Sequence, residues 1–323
     1  DFNPQNFTTT NYMQTLTNCP VCKSTQFSSF IKTKAQMHSH TAKETFNFDQ
    51  CAGCQLVFLN PRVPLKELTN YYTDYYLPYR GAKAWGKYES LVANSQAKTD
   101  AKRVELVQKY RPLSSNDLVL DVGCGQPSFL QACLQATNCQ GMGIDFSDEG
   151  WTGKNAEYQQ LNLQVGEVKD LPTNIQPDVI TMWHYLEHDY TPLANLKELR
   201  KRTKKDTTLI IEVPNFASES RQQFGKDWAG WHTPRHTSLF SPENIKLLLE
   251  NSGWQAETVL TYGTLDPYVL YWMSKMEQKG IAWNKNMEEE FVNFVWGMVT
   301  FLPKKWQQKK RPLGVMTAIA KPC

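Results

Sequence analysis

The chain has no run of about 20 apolar residues, the length a helix needs to cross a bilayer. Its longest apolar stretch, residues 291–302, is interrupted by Asn293 and Gly297, so no transmembrane segment is expected. The opening DFNPQNFTTTNYMQ has neither the basic segment nor the apolar centre of a secretion signal, and a cytoplasmic location is expected from it. Charge imbalance is lacking as well. A net charge of +3 with 21% charged and 41% hydrophobic residues excludes a disordered or nucleic-acid-coating chain and fits an ordinary globular one. The 323 residues allow one large α/β domain with a small appendage. In a reducing compartment eight cysteines do not form a disulfide framework, so their spacing needs another explanation.

That explanation lies near the front. Cys19-Pro-Val-Cys22 and Cys51-Ala-Gly-Cys54 are two C-x-x-C pairs, each able to offer two thiolates from one tight knuckle, and four sulfurs satisfy a tetrahedral Zn²⁺. Pro20 stiffens the first knuckle and Gly53 is expected to permit the turn of the second. A thioredoxin-like redox pair would stand alone beside a βαβ unit, which this arrangement does not. His38 and His40 lie between the pairs and are expected to be solvated, because four cysteines already close the shell. The ion is then structural. This predicts a zinc-ribbon module over 1–65, followed by a tyrosine-rich helical linker or lid over 66–115.

From Leu118 the text becomes LVLDVGCGQPSFLQACL, a buried strand entering a helix through a glycine turn. Gly123 and Gly125 let the backbone pass close under a ligand. GMGIDFS provides a second strand ending in Asp145, placed to bind a ribose diol. A nicotinamide site wants a pyrophosphate cradle and no acid two residues before the first glycine. Asp121 occupies that position, which suits a cationic, phosphate-free ligand such as S-adenosylmethionine.

DVGCG, GIDFS, VGEVKDLP and PDVITMWHYLEH followed by LIIEVPN together resemble the successive motifs of class I S-adenosylmethionine-dependent methyltransferases, from about Leu118 to Asn215. The resemblance implies a Rossmann-like α/β sheet with helices on both faces over 116–323. It assigns Asp121, Gly123 and Gly125 to the methionine part of the cofactor, Asp145 and Phe146 to the ribose, and Glu167 and Val168 to the adenine. Trp183 and His184 would face the methyl group. Pro127 departs from the pattern, standing where relatives commonly continue with glycine; it lacks an amide donor and fixes φ. Ser241-Pro-Glu-Asn predicts a capped helix ending at Gly253. A closing antiparallel hairpin is expected from Trp254–Tyr262 and Val315–Ala320, split by an insertion over 264–312.

Methyl transfer depends on positioning, and a hydroxyl or carbon acceptor also profits from a general base, for which histidine is suited. Two segments offer it. HYLEH holds His184, Glu187 and His188; it lacks the H-E-x-x-H order of a zinc hydrolase. WAGWHTPRH holds His232 and His236, the expected bases, with Arg235 as acceptor anchor and Trp231 and Tyr185 as further acceptor contacts. The insertion reads as two amphipathic helices. Val292, Trp296 and Val299 add apolar surface opposite the packing face, and Lys304, Lys305, Lys309, Lys310 and Arg311 follow. Packing is the simplest use; a lid, a dimer face or a peripheral membrane contact through 291–311 would each also account for it. KELRKRTKK, Lys197 to Lys205, reads as a solvated helix end. The expected acceptor is a small-molecule or carrier-linked metabolite, with sugar or cell-surface polysaccharide precursors suggested by analogy. An RNA or protein methyltransferase docking through the ribbon, or a binding protein without turnover, are the alternatives, and the sparse lysines between the knuckles argue against nucleic acid. Neither oligomeric state nor acceptor is legible.

Overall fold

The computed structural model describes residues 13–39 and 44–323; His40 lies outside them. Three antiparallel strands open the fold: β1 (Phe27–Lys34), β2 (Thr45–Cys51) and β3 (Val57–Leu59). The parallel core follows as β4 (Leu118–Val122), β5 (Gln140–Asp145), β6 (Asn162–Val165), β7 (Val179–Trp183) and β8 (Thr208–Pro214). Aliphatic residues fill these strands because helices cover both faces, and β4, β7 and β8 are buried almost throughout. After β9 (Ser238–Leu239) come β10 (Trp254–Leu260) and β11 (Val315–Pro322), which enter the large sheet antiparallel. The order is β10-β11-β8-β7-β4-β5-β6, the doubly wound plan expected, with the helical insertion between its last two strands.

Local signals place the helices as read. Ser241 Oγ accepts from the Asn244 amide and the Asn244 side chain answers at Ser241 N, a capping box that starts Pro242–Asn251. The insertion forms helices Pro267–Lys279 and Phe291–Lys305. Their inner faces meet Trp85 and Tyr88 of the tyrosine-rich segment, with Tyr88 stacked on Phe291 at 3.8 Å. Val292, Trp296 and Val299 face outward, at 50% exposure or more. Among the described residues, no helix is long and apolar enough to cross a membrane. The solvated end expected at 197–205 is corrected at Arg202. That side chain is buried, donating to the carbonyls of Leu171 and Pro172, so the charge is held by hydrogen bonds away from water.

The front segment is bound into the rest. β9, from the WHTPRH region, pairs with β3 and completes a four-stranded sheet β1-β2-β3-β9. Cys19, Val21, Cys51, Leu56 and Phe58 share one apolar cluster with Phe240 and Leu248, and Asn244 and Asn251 donate to the carbonyls of Cys54 and Val21. Phe58 is fully buried with its ring edge-on to Phe27. Phe58→Ala is therefore expected to lower stability by about 3–5 kcal/mol. Tryptophan fluorescence and far-ultraviolet dichroism should shift together in a denaturant titration; transitions that separate would deny the shared core.

Candidate active site and metal centre

The glycine turn hangs from the end of the neighbouring strand. Gly123 and Cys124 amides donate to the Ile144 carbonyl, and the Gly125 amide donates to Asp145 Oδ2 at 2.9 Å. The other Asp145 oxygen accepts from the Ser147 amide at 3.2 Å. Asp145 is thus fixed beside the turn, and each oxygen keeps a lone pair for a further donor. Burial raises its carboxyl above the usual range, against the amides that lower it. Asp121 accepts from Thr181 Oγ1 at 2.7 Å; burial lifts it to about 7 despite that bond. Pro127 sits immediately before the helix Ser128–Thr137, where no intrahelical amide is required of it. Phe146 is exposed with Tyr72 tilted against it. Val168 is fully buried, and Glu167 caps the short turn 168–170 and pairs with Lys169.

Beside this turn, four histidines converge. β7 ends at Trp183, and His184 follows with φ of 56°, a left-handed backbone that side chains seldom adopt. Its ring lies between two buried carboxylates, 3.2 Å from Glu212 Oε1 and 3.5 Å from Glu187 Oε1. Burial opposes its charge, but the two acids outweigh it and raise His184 to about 9. The Thr237 amide donates to the Glu187 carbonyl at 2.7 Å, and this bond carries the WHTPRH segment onto HYLEH. His236 then stands edge-on to His188 with centroids 4.5 Å apart, and the same distance from His232. His232 is also left-handed, with φ of 38°, and neither of its ring nitrogens has a partner. Burial, reinforced by Arg235 and the other histidines, holds it well below the ordinary histidine range.

Not every expected residue reaches this site. Trp183 packs edge-on to Phe129 under the Arg103 guanidinium, within the core. Trp231 is fully buried against Phe48, its indole donating to the Gly225 carbonyl. Arg235 donates through its two terminal nitrogens to the carbonyls of Tyr71 and Gln36, both at 2.6 Å, and lies over the Tyr76 ring, which ties segments together and leaves Nε without a partner. Tyr185 lies directly on the glycine turn, where a Cβ at Gly123 would overlap its ring.

Sequence reasoning passed over Glu212 and the two tyrosines. Glu212 is wholly buried and accepts from the Thr264 and Leu265 amides and the Thr317 hydroxyl. An acid inside the aliphatic strand LIIEVP is itself a signal, since such a residue is almost never buried unpaired. Tyr72 Oη lies 3.3 Å from His188 Nδ1 and the Tyr76 ring meets His232; no spacing in the text pointed to either.

The four cysteines also come together. Cys19 and Cys54 sulfurs are 3.5 Å apart, Cys22 and Cys51 3.4 Å, and all four lie within 4.8 Å of one another. Each knuckle folds alike: Lys23 and Gln55, just after the second cysteine, have φ of 64° and 60° and donate to the carbonyl of the first. The left-handed residue of the second knuckle is therefore Gln55 rather than Gly53, which lies close under Cys22 and Cys51 instead. His38 is half-buried between Tyr71 and Tyr75, not solvated as expected.

The two turn glycines are separable by mutation. Both have positive φ, 74° at Gly123 and 49° at Gly125, but only Gly123 is crowded. Gly125→Ala should cost about 1–2 kcal/mol of left-handed strain. Gly123→Ala adds the clash with Tyr185 and should melt lower still; equal melting temperatures would contradict the close approach.

Comparison with known proteins agrees with this geometry. The profile of a family described as a methyltransferase domain matches residues 94–259, half of the chain. No curated protein matches in sequence. Among solved structures, the complex of the Haloferax volcanii Trm112 methyltransferase activator with a methyltransferase is similar at a TM-score of 0.50, with 17% identity over 75% of this chain and 96% of that one. Magnesium protoporphyrin IX methyltransferase from Synechocystis PCC 6803, with bound S-adenosylhomocysteine, gives 0.47 with 13% identity over 75% and 92%. At 17% identity the first of these speaks to fold alone. With the family match spanning the strand, turn and acid just described, the chain belongs to the class I S-adenosylmethionine-dependent methyltransferases.

Proposed function

We propose that the protein transfers a methyl group from S-adenosylmethionine to a small-molecule or carrier-linked acceptor, with His232 as general base. The observation that carries this reading is the gathering of His184, His188, His232 and His236 with two buried carboxylates at the strand ends beside the glycine turn, where open α/β sheets bind ligands. His232 is the best placed base, because both ring nitrogens are without partners, whereas Nδ1 of His236 is taken by the Gly230 carbonyl. His184, between two acids, suits electrostatic support of the reacting groups. Tyr185 above the turn and Tyr72 near His188 would border the acceptor. In this reading Asp121, Gly123 and Gly125 hold the methionine part, Asp145 and Phe146 the ribose, and Glu167 and Val168 the adenine.

The cysteine cluster fits structural Zn²⁺. Tetrahedral zinc with bonds of about 2.3 Å sets its sulfurs a little under 4 Å apart, close to the separations found, and four thiolates leave no coordination position for another ligand. When bound, the ion would brace β2 and the first knuckle against the Pro242–Asn251 helix. We further assign 1–65 to this module, 66–115 to a helical linker or lid, and 116–323 to the catalytic domain.

Labelled methyl transfer into a fractionated extract tests the acceptor class, with label expected in the low-molecular-weight or carrier fraction. Label confined to protein or RNA would overturn it. His232→Ala should slow turnover by about 10²–10⁴-fold while leaving cofactor affinity, measured by titration calorimetry, nearly unchanged.

Cofactor affinity should also depend on pH through Asp121. Its carboxyl, at about 7, is neutral at lower pH and ionised above, and a cationic ligand favours the ionised form. Binding should thus weaken about tenfold from pH 8 to pH 6, and Asp121→Asn should flatten the profile. An unchanged dissociation constant across that range in the wild type would remove Asp121 from the cofactor site.

A further inference from the structure

Besides the cysteine cluster, one more group among the described residues brings metal-ligating side chains within mutual reach. The ligand atoms of Glu187, His188 and His236 lie within 4.8 Å of one another, and the set is largely buried. Its hydrogen bonding is incomplete in an informative way. His236 Nδ1 lies 2.8 Å from the Gly230 carbonyl; a carbonyl can only accept, so Nδ1 carries the hydrogen and Nε2 presents a lone pair. That lone pair faces Glu187 Oε1 at 4.0 Å. Both Glu187 oxygens are buried, at 1% exposure for the residue, and neither takes a hydrogen bond. Acceptors turned toward each other away from water repel unless a cation or donor lies between them.

Neighbouring charges do not supply it. Two carboxylates are buried here, Glu187 and Glu212, and His184 between them can neutralise one. Glu212 is further backed by amide and hydroxyl donors; Glu187 has none. Arg235 is committed to the Tyr71 and Gln36 carbonyls. The imidazole of His236 is meanwhile oriented as metal ligands usually are, one nitrogen donating to a backbone carbonyl and the other free.

We propose that Glu187, His188 and His236 bind one divalent transition-metal ion, of the zinc or iron(II) type, separate from the cysteine site. Two imidazoles and one carboxylate match borderline ions of this class and leave coordination positions open. That an open position takes an oxygen of the methyl acceptor rests on the function proposed above; the binding of the ion does not.

Cobalt(II) is the probe. The full chain, loaded with cobalt and dialysed against metal-free buffer, is expected to hold two equivalents by elemental analysis. One should show the strong charge-transfer absorption of thiolate ligands, the other only the weak visible bands of nitrogen and oxygen ligands. Glu187→Gln and His236→Gln should each lose the second equivalent and keep the thiolate absorption, which also reports that the variant is folded. A single equivalent in the wild type, or two in both variants, would overturn the site. Should both variants lose the thiolate absorption, the wild-type spectrum decides, and absence of the nitrogen and oxygen bands overturns the proposal. Titration of S-adenosylmethionine into the same samples keeps the two readings apart: two equivalents of cobalt with no cofactor binding would sink the methyltransferase function and leave the metal site standing.

Discussion

The placement of the Glu212 carboxylate inside the sheet is the constraint around which the histidine region is organised. A charge with no exposure to water must be met on every side, and the donors come from distant parts of the chain. Thr264 and Leu265 reach it from the start of the insertion, Thr317 from β11 and His184 from the end of β7. Together these contacts hold its carboxyl down at about 2: burial would raise it, but the His184 bond and charge and the Thr264 amide outweigh burial. Satisfying one acid thereby fixes how the insertion departs from the sheet and where the first histidine stands. The Thr237 amide on the Glu187 carbonyl then sets the second histidine segment against the first.

The same segment serves the front of the molecule. Immediately after His236 and Thr237, β9 adds itself to β3, while Arg235 and Gln36 bind β1 and the tyrosine-rich region to the stretch 228–237. The cysteine knuckles belong to the apolar cluster beneath β8 and the Pro242–Asn251 helix. A second, aromatic cluster joins β2, the tyrosine-rich region and the insertion. Described residues on both sides of the family match, before 94 and after 259, are therefore built into these two clusters, and Tyr72 and Tyr76 reach His188 and His232.

Much of this was legible in the text, for definite reasons. Strand β4 and its turn announce themselves because aliphatic density, two glycines and an acid follow one another without gaps, and the cysteine pairs carry a spacing that little else explains. The split hairpin of β10 and β11 was readable because Gly253 and Gly314 bracket strand-like runs. Contacts between segments were not. Nothing local distinguishes Arg235 facing an acceptor from Arg235 donating to two carbonyls, since a guanidinium among histidines and a tryptophan suits both. Likewise Trp231 looks the same in sequence whether its ring lines a cleft or fills a core. Gly53 was expected to permit the turn of the second knuckle, but the left-handed residue is Gln55, because the knuckle closes after its second cysteine with the Gln55 amide on the Cys51 carbonyl.

Backbone strain points to the same place as the charges. Besides the residues after each knuckle, Met37 and Asn138, the non-glycine residues with positive φ among those described are His184 and His232. Each costs roughly 1–3 kcal/mol relative to a relaxed backbone. An imidazole gains nothing from such a conformation by itself, and Asn or Gly would occupy it more readily. The strain is held by the sheet register on one side, where the His184 amide donates to the Glu212 carbonyl, and by the turn 229–231 on the other, where His232 donates to Ala229. Both bonds would survive a change of side chain, so they do not require histidine. What histidine adds is the placing of the two rings, one set between a pair of acids and the other held against Tyr76 and His236 with both nitrogens without partners.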